Sequence, residues 1–475
     1  MILCVCFGGY TMRLSVKKIV ELCDAELYCG NENIICTNLA KDTRNIILGD
    51  TFIGIKGENY NGNDFYMEAF SKGANCAILE KKYFDYNVSD EKLTILLVDD
   101  SIEALKNIAS YIRLDSEAFF VAVTGSVGKT STRDMIYSVL KEKYSTLKTE
   151  NNYNNNIGLP LTITRLTSEK AAVIEMGMNH LGEISYLSNI TKPNIGVITN
   201  VGTAHIGELG SRENILKAKL EIIDGMDCNG ILVINNDNDL LHEYYMKNSE
   251  SKNKVITIGV TNQSEFMAKN IQLNENSSSF DVSYKENIYS VYCPIPGMAF
   301  VYNSLVAFAV GTLLDVEIKK IVNGIKNIEL TKNRMEIIDL KNNIKIINGV
   351  YNASVDSMKS NLEILAHQTG NRKIAVLGDM LELGEFSKEL HEEVGKFVFE
   401  NNIDILITVG TLSKNIAQKA IECGMDVEKV YTFDDNKNAI DLLKKIILPN
   451  DTIIFKASHS LKFNEILDSI NEYLS

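Results

Sequence analysis

The apolar run Phe119-Phe120-Val121-Ala122-Val123 passes into Thr124-Gly125-Ser126-Val127-Gly128-Lys129-Thr130-Ser131 and then into a helical period with Met135, Ile136, Val139 and Leu140 on one stripe. A strand that turns on two glycines into an amphipathic helix commits this part of the chain to an α/β layer, with the helix seated on a sheet. The same turn can hold an anion. Gly125 and Gly128 let successive N–H groups face one point, and the helix start adds its positive end. Lys129 would reach terminal phosphates, and Thr130 offers a hydroxyl where such loops bind magnesium. The loop is two residues shorter than the general G-x-x-x-x-G-K-[ST] pattern, so on these residues alone an ordinary glycine-rich turn stays as the competing reading.

At 475 residues and 45% hydrophobic content the chain has material for two to four domains with real cores. A formal charge of −14 provides no net positive field for a nucleic-acid backbone, so no nucleic-acid partner is expected. The nine cysteines are scattered without C-x-x-C spacing, as expected of reduced thiols in a cytoplasm. No H-x₃₋₅-H or H-E-x-x-H arrangement points to zinc, which leaves magnesium open. No apolar stretch reaches the ~20 residues of a membrane helix, and no membrane insertion is expected. Met1 to Tyr10 fits poorly with the amphipathic Leu14-Ser15-Val16-Lys17-Lys18-Ile19-Val20, which makes Met12 the expected start.

Three rhythms divide the chain. Residues 12–116 mix a short helix, strand-like runs (51–55, 76–79, 94–98) and a helix from Ser101, a small α/β domain. Residues 117–330 alternate short apolar runs with helical periods, predicting a mostly parallel sheet covered on both faces, with an antiparallel insertion around 277–293 and a loop over 272–279. Residues 331–475 repeat strand and helix five times, predicting a Rossmann-like domain.

In a parallel sheet the strand carboxyl ends share one edge, so groups just after successive strands meet in one crevice. The Lys129 loop follows 121–123, Glu175 ends Ala171-Ala172-Val173-Ile174, and His205 follows 195–199 by a short loop. Together they predict a phosphate loop, a carboxylate fit for magnesium and an imidazole on one rim. Singly, such a carboxylate is more often a cap or ion-pair partner, and such a histidine structural. Lys219 lies in a helical segment where Leu216, Leu220 and Ile223 mark an apolar stripe, with Lys219 on its flank and Lys217 and Glu221 pointing outward as an i, i+4 pair. From geometry alone a snorkelling lysine is the better reading.

Thr124 to Ser131, Asn152-Tyr153-Asn154-Asn155-Asn156-Ile157-Gly158-Leu159-Pro160, Glu175-Met176-Gly177-Met178-Asn179-His180 and Lys217-Ala218-Lys219 resemble the Mur ligases of peptidoglycan synthesis. So do Asp42-Thr43-Arg44, Asn333-Arg334-Met335-Glu336, Tyr351-Asn352-Ala353 and Gly378-Asp379-Met380-Leu381-Glu382-Leu383-Gly384-Glu385. The resemblance spans nearly the whole chain. It implies three domains and an ATP-dependent, ADP-forming ligase, expected to join D-alanyl-D-alanine to a UDP-N-acetylmuramoyl-tripeptide through an acyl phosphate. It further implies that residues 124–130 cradle ATP and that Lys129 stabilises the transferring phosphoryl group. Thr130 and Glu175 would hold one magnesium, and His205 a second beside Lys219 as a carbamate. Arg334 and Asn352 would reach the nucleotide, Thr43 and Arg44 the UDP end, and Asn154 and Asn155 the muramoyl part. A monomer is expected.

Some positions depart from the family pattern. Asn348 and Gly349 stand where two acids usually precede x-Tyr-Asn-Ala, and Ala299 and Phe300 replace His and Asn after Pro296-Gly297. Ala457 follows Lys456 where the family prefers glycine. Two alternatives therefore stay open at this level: the same chemistry on another acid and amine, or a weakly active substrate-binding relative.

Overall fold

The computed structural model describes residues 12–87, 92–248, 253–332 and 334–474. The choice between Met1 and Met12 as the start lies outside the described residues. Three large sheets, each with its own helices, and a two-stranded antiparallel pair of Leu14–Ser15 with Ile35–Cys36 form the α/β architecture expected from the alternating rhythm. The first has five strands in the order Glu26–Cys29, Ile95–Val98, Cys76–Glu80, Thr51–Ile53, Leu39–Ala40, and only the first pair is antiparallel. Ser101–Asp115 packs against it because Asp100 caps the helix, accepting from the amides of Ile102 and Glu103, while Leu105, Ile108 and Ile112 turn inward. Each fully buried side chain of this kind stabilises by about 1.5–3 kcal/mol.

The second sheet has nine strands, and its centre positions the site. Phe119–Thr124 lies between Ala171–Glu175 and Ile195–Ile198, all three parallel and in near register. The run then continues through Ile231–Asn235 and Lys254–Gly259 to Phe266–Leu273. Ser278–Tyr284 and Asn287–Cys293 add an antiparallel hairpin at the far edge, as the alternation around 277–293 predicts. The loop expected over 272–279 shrinks to 274–277, because Gln272 and Leu273 pair with Ser279 and Ser278 across the hairpin.

The third sheet follows the order Glu336–Asp339, Lys345–Asn348, Asp451–Lys456, Arg372–Gly378, Ile405–Val409, Val430–Phe433. All neighbours are parallel except the first pair, and Glu336–Asp339 is an edge strand that the five-unit rhythm does not predict. Its central strand Asp451–Lys456 is buried throughout and the edge strand half-exposed, which hides the period-2 signal.

Candidate active site

Gly125 and Gly128 both take positive φ, at 155° and 80°. A Cβ at Gly125 would collide with the Thr199 hydroxyl, so the tight approach of the two loops demands glycine there. The turn is stitched to the segment after the neighbouring strand. Ser126 donates from its amide to the Asn200 carbonyl at 3.1 Å, Val127 to Asn200 Oδ1 at 3.0 Å, and the Thr199 hydroxyl to the Val127 carbonyl at 2.7 Å. The helix Lys129–Leu140 then starts at Gly128 with no side-chain cap, leaving its first amides facing outward. Lys129 folds over its own loop, donating to the Gly125 carbonyl at 2.8 Å. Burial pushes its ammonium below the usual lysine range.

The loop opens into a cavity of about 1460 Å³ between the three sheets. Ser126 to Thr130, Glu175 and His205 line it together, as the shared-edge argument predicts, and so do Asn154, Asn155, Arg334 and Asn352, which that argument does not cover. Thr124 and Gly125 lie behind this surface. Thr43 and Arg44 do not line it either: Thr43 donates to Glu68 at 3.0 Å, and Arg44 pairs with Asp42 in solvent.

Glu175 is 2% exposed and held from two sides, by Asn154 Nδ2 at 2.9 Å and Arg133 Nη1 at 3.3 Å. It is thus an ion-pair partner and a cavity-lining carboxylate at once. Arg133, fully buried, also binds Asp134 and the Thr331 hydroxyl at 2.7 Å, and Asp134 takes Lys148 at 2.8 Å and the Thr331 amide at 2.9 Å. Against the upward push of burial, Arg133 and Lys148 hold the Asp134 carboxyl below its usual range. This network ties the phosphate-loop helix to the segment entering the third sheet. Sequence reading misses it, since Arg133-Asp134 looks like an ordinary exposed pair on a helix.

Lys219 requires a correction. The buried face of Arg212–Leu220 is Ile215, Ala218 and Lys219, continuing to Ile222, whereas Leu216, Leu220 and Ile223 are only half-buried. Lys219 therefore sits within the buried stripe, 1% exposed, and not on its flank. It does not line the cavity. Burial, reinforced by the charge of Lys129, drives its ammonium well below the usual range. The outward pair of Lys217 and Glu221 is also absent. Glu221 instead accepts the amides of Gly182 at 2.7 Å and Ser185 at 3.2 Å, capping the helix Glu183–Thr191, which has no side-chain cap of its own.

On the opposite wall Arg334 Cζ lies 3.6 Å from the Tyr351 ring centroid, and Lys456 donates to the carbonyls of Gly349 and Asn352 at 3.2 and 2.9 Å. Lys456 is buried and Arg334 half-buried. Burial lowers the Arg334 guanidinium and brings the Lys456 ammonium down to about 7. Anionic oxygens entering between Lys129, Arg334 and Lys456 would offset that desolvation. Of the departing positions, Phe300 is core; three residues on, Asn303 braces the phosphate-loop helix by accepting from Thr132 at 2.8 Å. Gly349 does not line the cavity, and a Cβ there would run into Asn361 Oδ1.

Among the described residues no three carboxylate, imidazole or thiol groups converge on one point. The oxygen donors of Thr130 and Glu175 nonetheless fit a hard magnesium ion that keeps several waters, and His205 supplies a nitrogen donor on the same cavity lining.

Residues 123–311 match the Mur ligase middle domain, and residues 333–459 the Mur ligase, glutamate ligase domain. The UDP-N-acetylmuramoyl-tripeptide--D-alanyl-D-alanine ligase of Bacillus subtilis is 33% identical, covering 97% of this chain and 99% of that protein. MurF from Acinetobacter baumannii superposes with a TM-score of 0.86 at 27% identity over 97% of this chain and 99% of that one. MurF from Thermotoga maritima in complex with ADP gives 0.79 at 27% identity over 92% and 97%. With its phosphate loop, buried carboxylate and opposed cations in one cleft, and with this likeness running nearly end to end, the chain belongs to the Mur ligase family.

Proposed function

We propose that the protein is the ATP-dependent ligase that joins D-alanyl-D-alanine to UDP-N-acetylmuramoyl-tripeptide in peptidoglycan precursor synthesis. The observation that carries this is the near-complete, 33% identical match to a relative of that name, together with the cavity where Lys129, Thr130, Glu175 and His205 meet. The γ-phosphoryl group of ATP passes to a terminal carboxylate oxygen of the tripeptide, the free amine of the dipeptide attacks the acyl carbon, and phosphate leaves. Amide, ADP and phosphate account for all atoms.

In this reading residues 124–130 wrap the phosphates with backbone N–H groups. Lys129 swings from the Gly125 carbonyl onto the transferring oxygens, where fixed charge contributes most to such transfers. Thr130 and Glu175 would hold one magnesium, and His205 and Lys219 a second, Lys219 as a carbamate formed when its neutral amine adds to CO₂ and a proton is released to solvent. Bound magnesium would neutralise charge on the phosphoryl oxygens. Arg334 and Asn352 bind the nucleotide from the third sheet, Asn154 and Asn155 face the muramoyl part, and Thr43 and Arg44 the UDP end. The working units are 12–116, 117–330 and 331–475, acting as a cytoplasmic monomer. No helix among the described residues is long and apolar enough to cross a membrane.

Purified protein with ATP, magnesium, UDP-N-acetylmuramoyl-tripeptide and D-alanyl-D-alanine should release ADP and form the pentapeptide product. ATP turnover without that product would overturn the substrate assignment. Lys129→Ala should abolish ADP release with the fold intact, and unchanged turnover would remove its assigned role.

A further inference from the structure

His205 and Glu382 come from different sheets, yet His205 Nδ1 lies 2.7 Å from Glu382 Oε2. The contact is part of a built interface. The amide of Gly207 donates to the Glu382 carbonyl at 3.1 Å, and a Cβ on Gly207 would sit 2.6 Å from the Gly384 amide nitrogen. A Cβ on Gly384 would in turn lie 2.9 Å from Gly207 Cα, so neither position admits a side chain without parting the two segments. His205 and Glu382 both hold φ of 64°, in the left-handed region that is strained for a non-glycine residue and persists only where the surroundings enforce it. A second close approach lies alongside: a Cβ on Gly202 would sit 1.9 Å from Asp356 Oδ2 at the start of the helix Val355–Ala366.

Nδ1 has no in-line hydrogen-bond partner, so the hold is electrostatic: a carboxylate 2.7 Å away favours the proton on Nδ1 and leaves the Nε2 lone pair free, as outer carboxylates do for metal-binding histidines. We propose that Glu382 is the positioning residue for His205, so that the Nε2 of His205 is presented to the cavity only while the third sheet's Leu381–Gly384 segment rests on the His205–Gly207 loop. Domain closure and completion of the ion site are then one event. Glu382 lies far from the phosphate loop in sequence, yet it lines the same cavity as Lys129 and His205. This rests on the reading of His205 as an ion-holding residue.

The test uses the full chain. In metal-free protein, ¹⁵N spectra of the histidine rings under mildly alkaline conditions should show His205 as the Nδ1–H tautomer, and Glu382→Ala should shift it toward Nε2–H. The magnesium concentration for half-maximal ADP release should rise about 10- to 100-fold in Glu382→Ala. kcat at saturating magnesium should stay within about threefold, and Glu382→Gln, which keeps an acceptor oxygen, should restore most of the metal requirement. A Glu382→Ala protein with the native tautomer and native magnesium requirement would overturn the proposal. His205→Ala separates the two claims. If it loses ion dependence while Glu382→Ala does not, only the positioning role falls; if His205→Ala is itself native in its magnesium requirement, the reading of His205 falls and takes the positioning role with it.

Discussion

Asn154 Nδ2 donates to Glu175 Oε1 at 2.9 Å, joining the loop Asn151–Asn156 to the end of the strand Ala171–Glu175 beneath the cavity floor. The close approach of Gly177, whose added Cβ would lie 2.9 Å from the Asn154 side chain, fixes that geometry. A residue expected to face substrate thus also aims the carboxylate read as a magnesium ligand. Asn154→Ala should raise the magnesium requirement for ADP release by about 10- to 100-fold. A rise in KM for the muramoyl substrate alone would show that Asn154 acts only on substrate.

Arg133 is the keystone of a buried charge network, with side chains of Arg133, Asp134 and Glu175 at 0%, 0% and 3% exposure. Removing one partner of such a group strands the others in low dielectric, at a cost of about 3–5 kcal/mol. Arg133→Met should lower the urea unfolding free energy by that amount. A loss below about 1 kcal/mol would mean that Lys148 and the Thr331 groups satisfy Asp134 without it.

Lys219 has its ammonium suppressed by burial and by Lys129. Lys219→Ala should nearly abolish ADP formation, and short carboxylates added to the buffer should restore part of it by occupying the space of a carbamate. Full activity in the unsupplemented variant would remove Lys219 from the mechanism.

Lys456 has a folded-state pKa of about 7, below the usual lysine value of 10.5. Below 7 it is charged folded and unfolded, so its burial penalty is fully present. Between about 7 and 10.5 the unfolded chain holds more protons, so stability rises with pH across that window. Lys456→Met should be more stable than the native chain at pH 6 and should lack that rise, as followed by denaturant unfolding at several pH values. Nucleotide binding at pH 8 should also take up a proton, visible as calorimetric heats that differ between buffers of unlike ionisation enthalpy. Equal heats would mean that no anion reaches Lys456.

The strand, turn and helix of residues 119–140 could be read directly, because alternating apolar periods, two glycines and a lysine act locally and need no knowledge of distant residues. The convergence of Glu175 and His205 on that turn was also legible, since parallel register places strand ends on one edge whatever the chain does between them. Lys219 was misjudged by its helical stripe. An apolar period marks which residues prefer burial, but the packing partners chose the face with Ile215, Ala218 and Ile222 and took the lysine inside. The Arg133 network, Glu221 as a cap for another helix, and Glu382 against His205 carried no local signal. Each joins charged or polar groups across long stretches of chain, and such pairs become favourable only after folding removes the water between them. Local backbone preference and side-chain period thus settled the layers and the phosphate turn, while the tertiary structure alone decided which buried charges face one another.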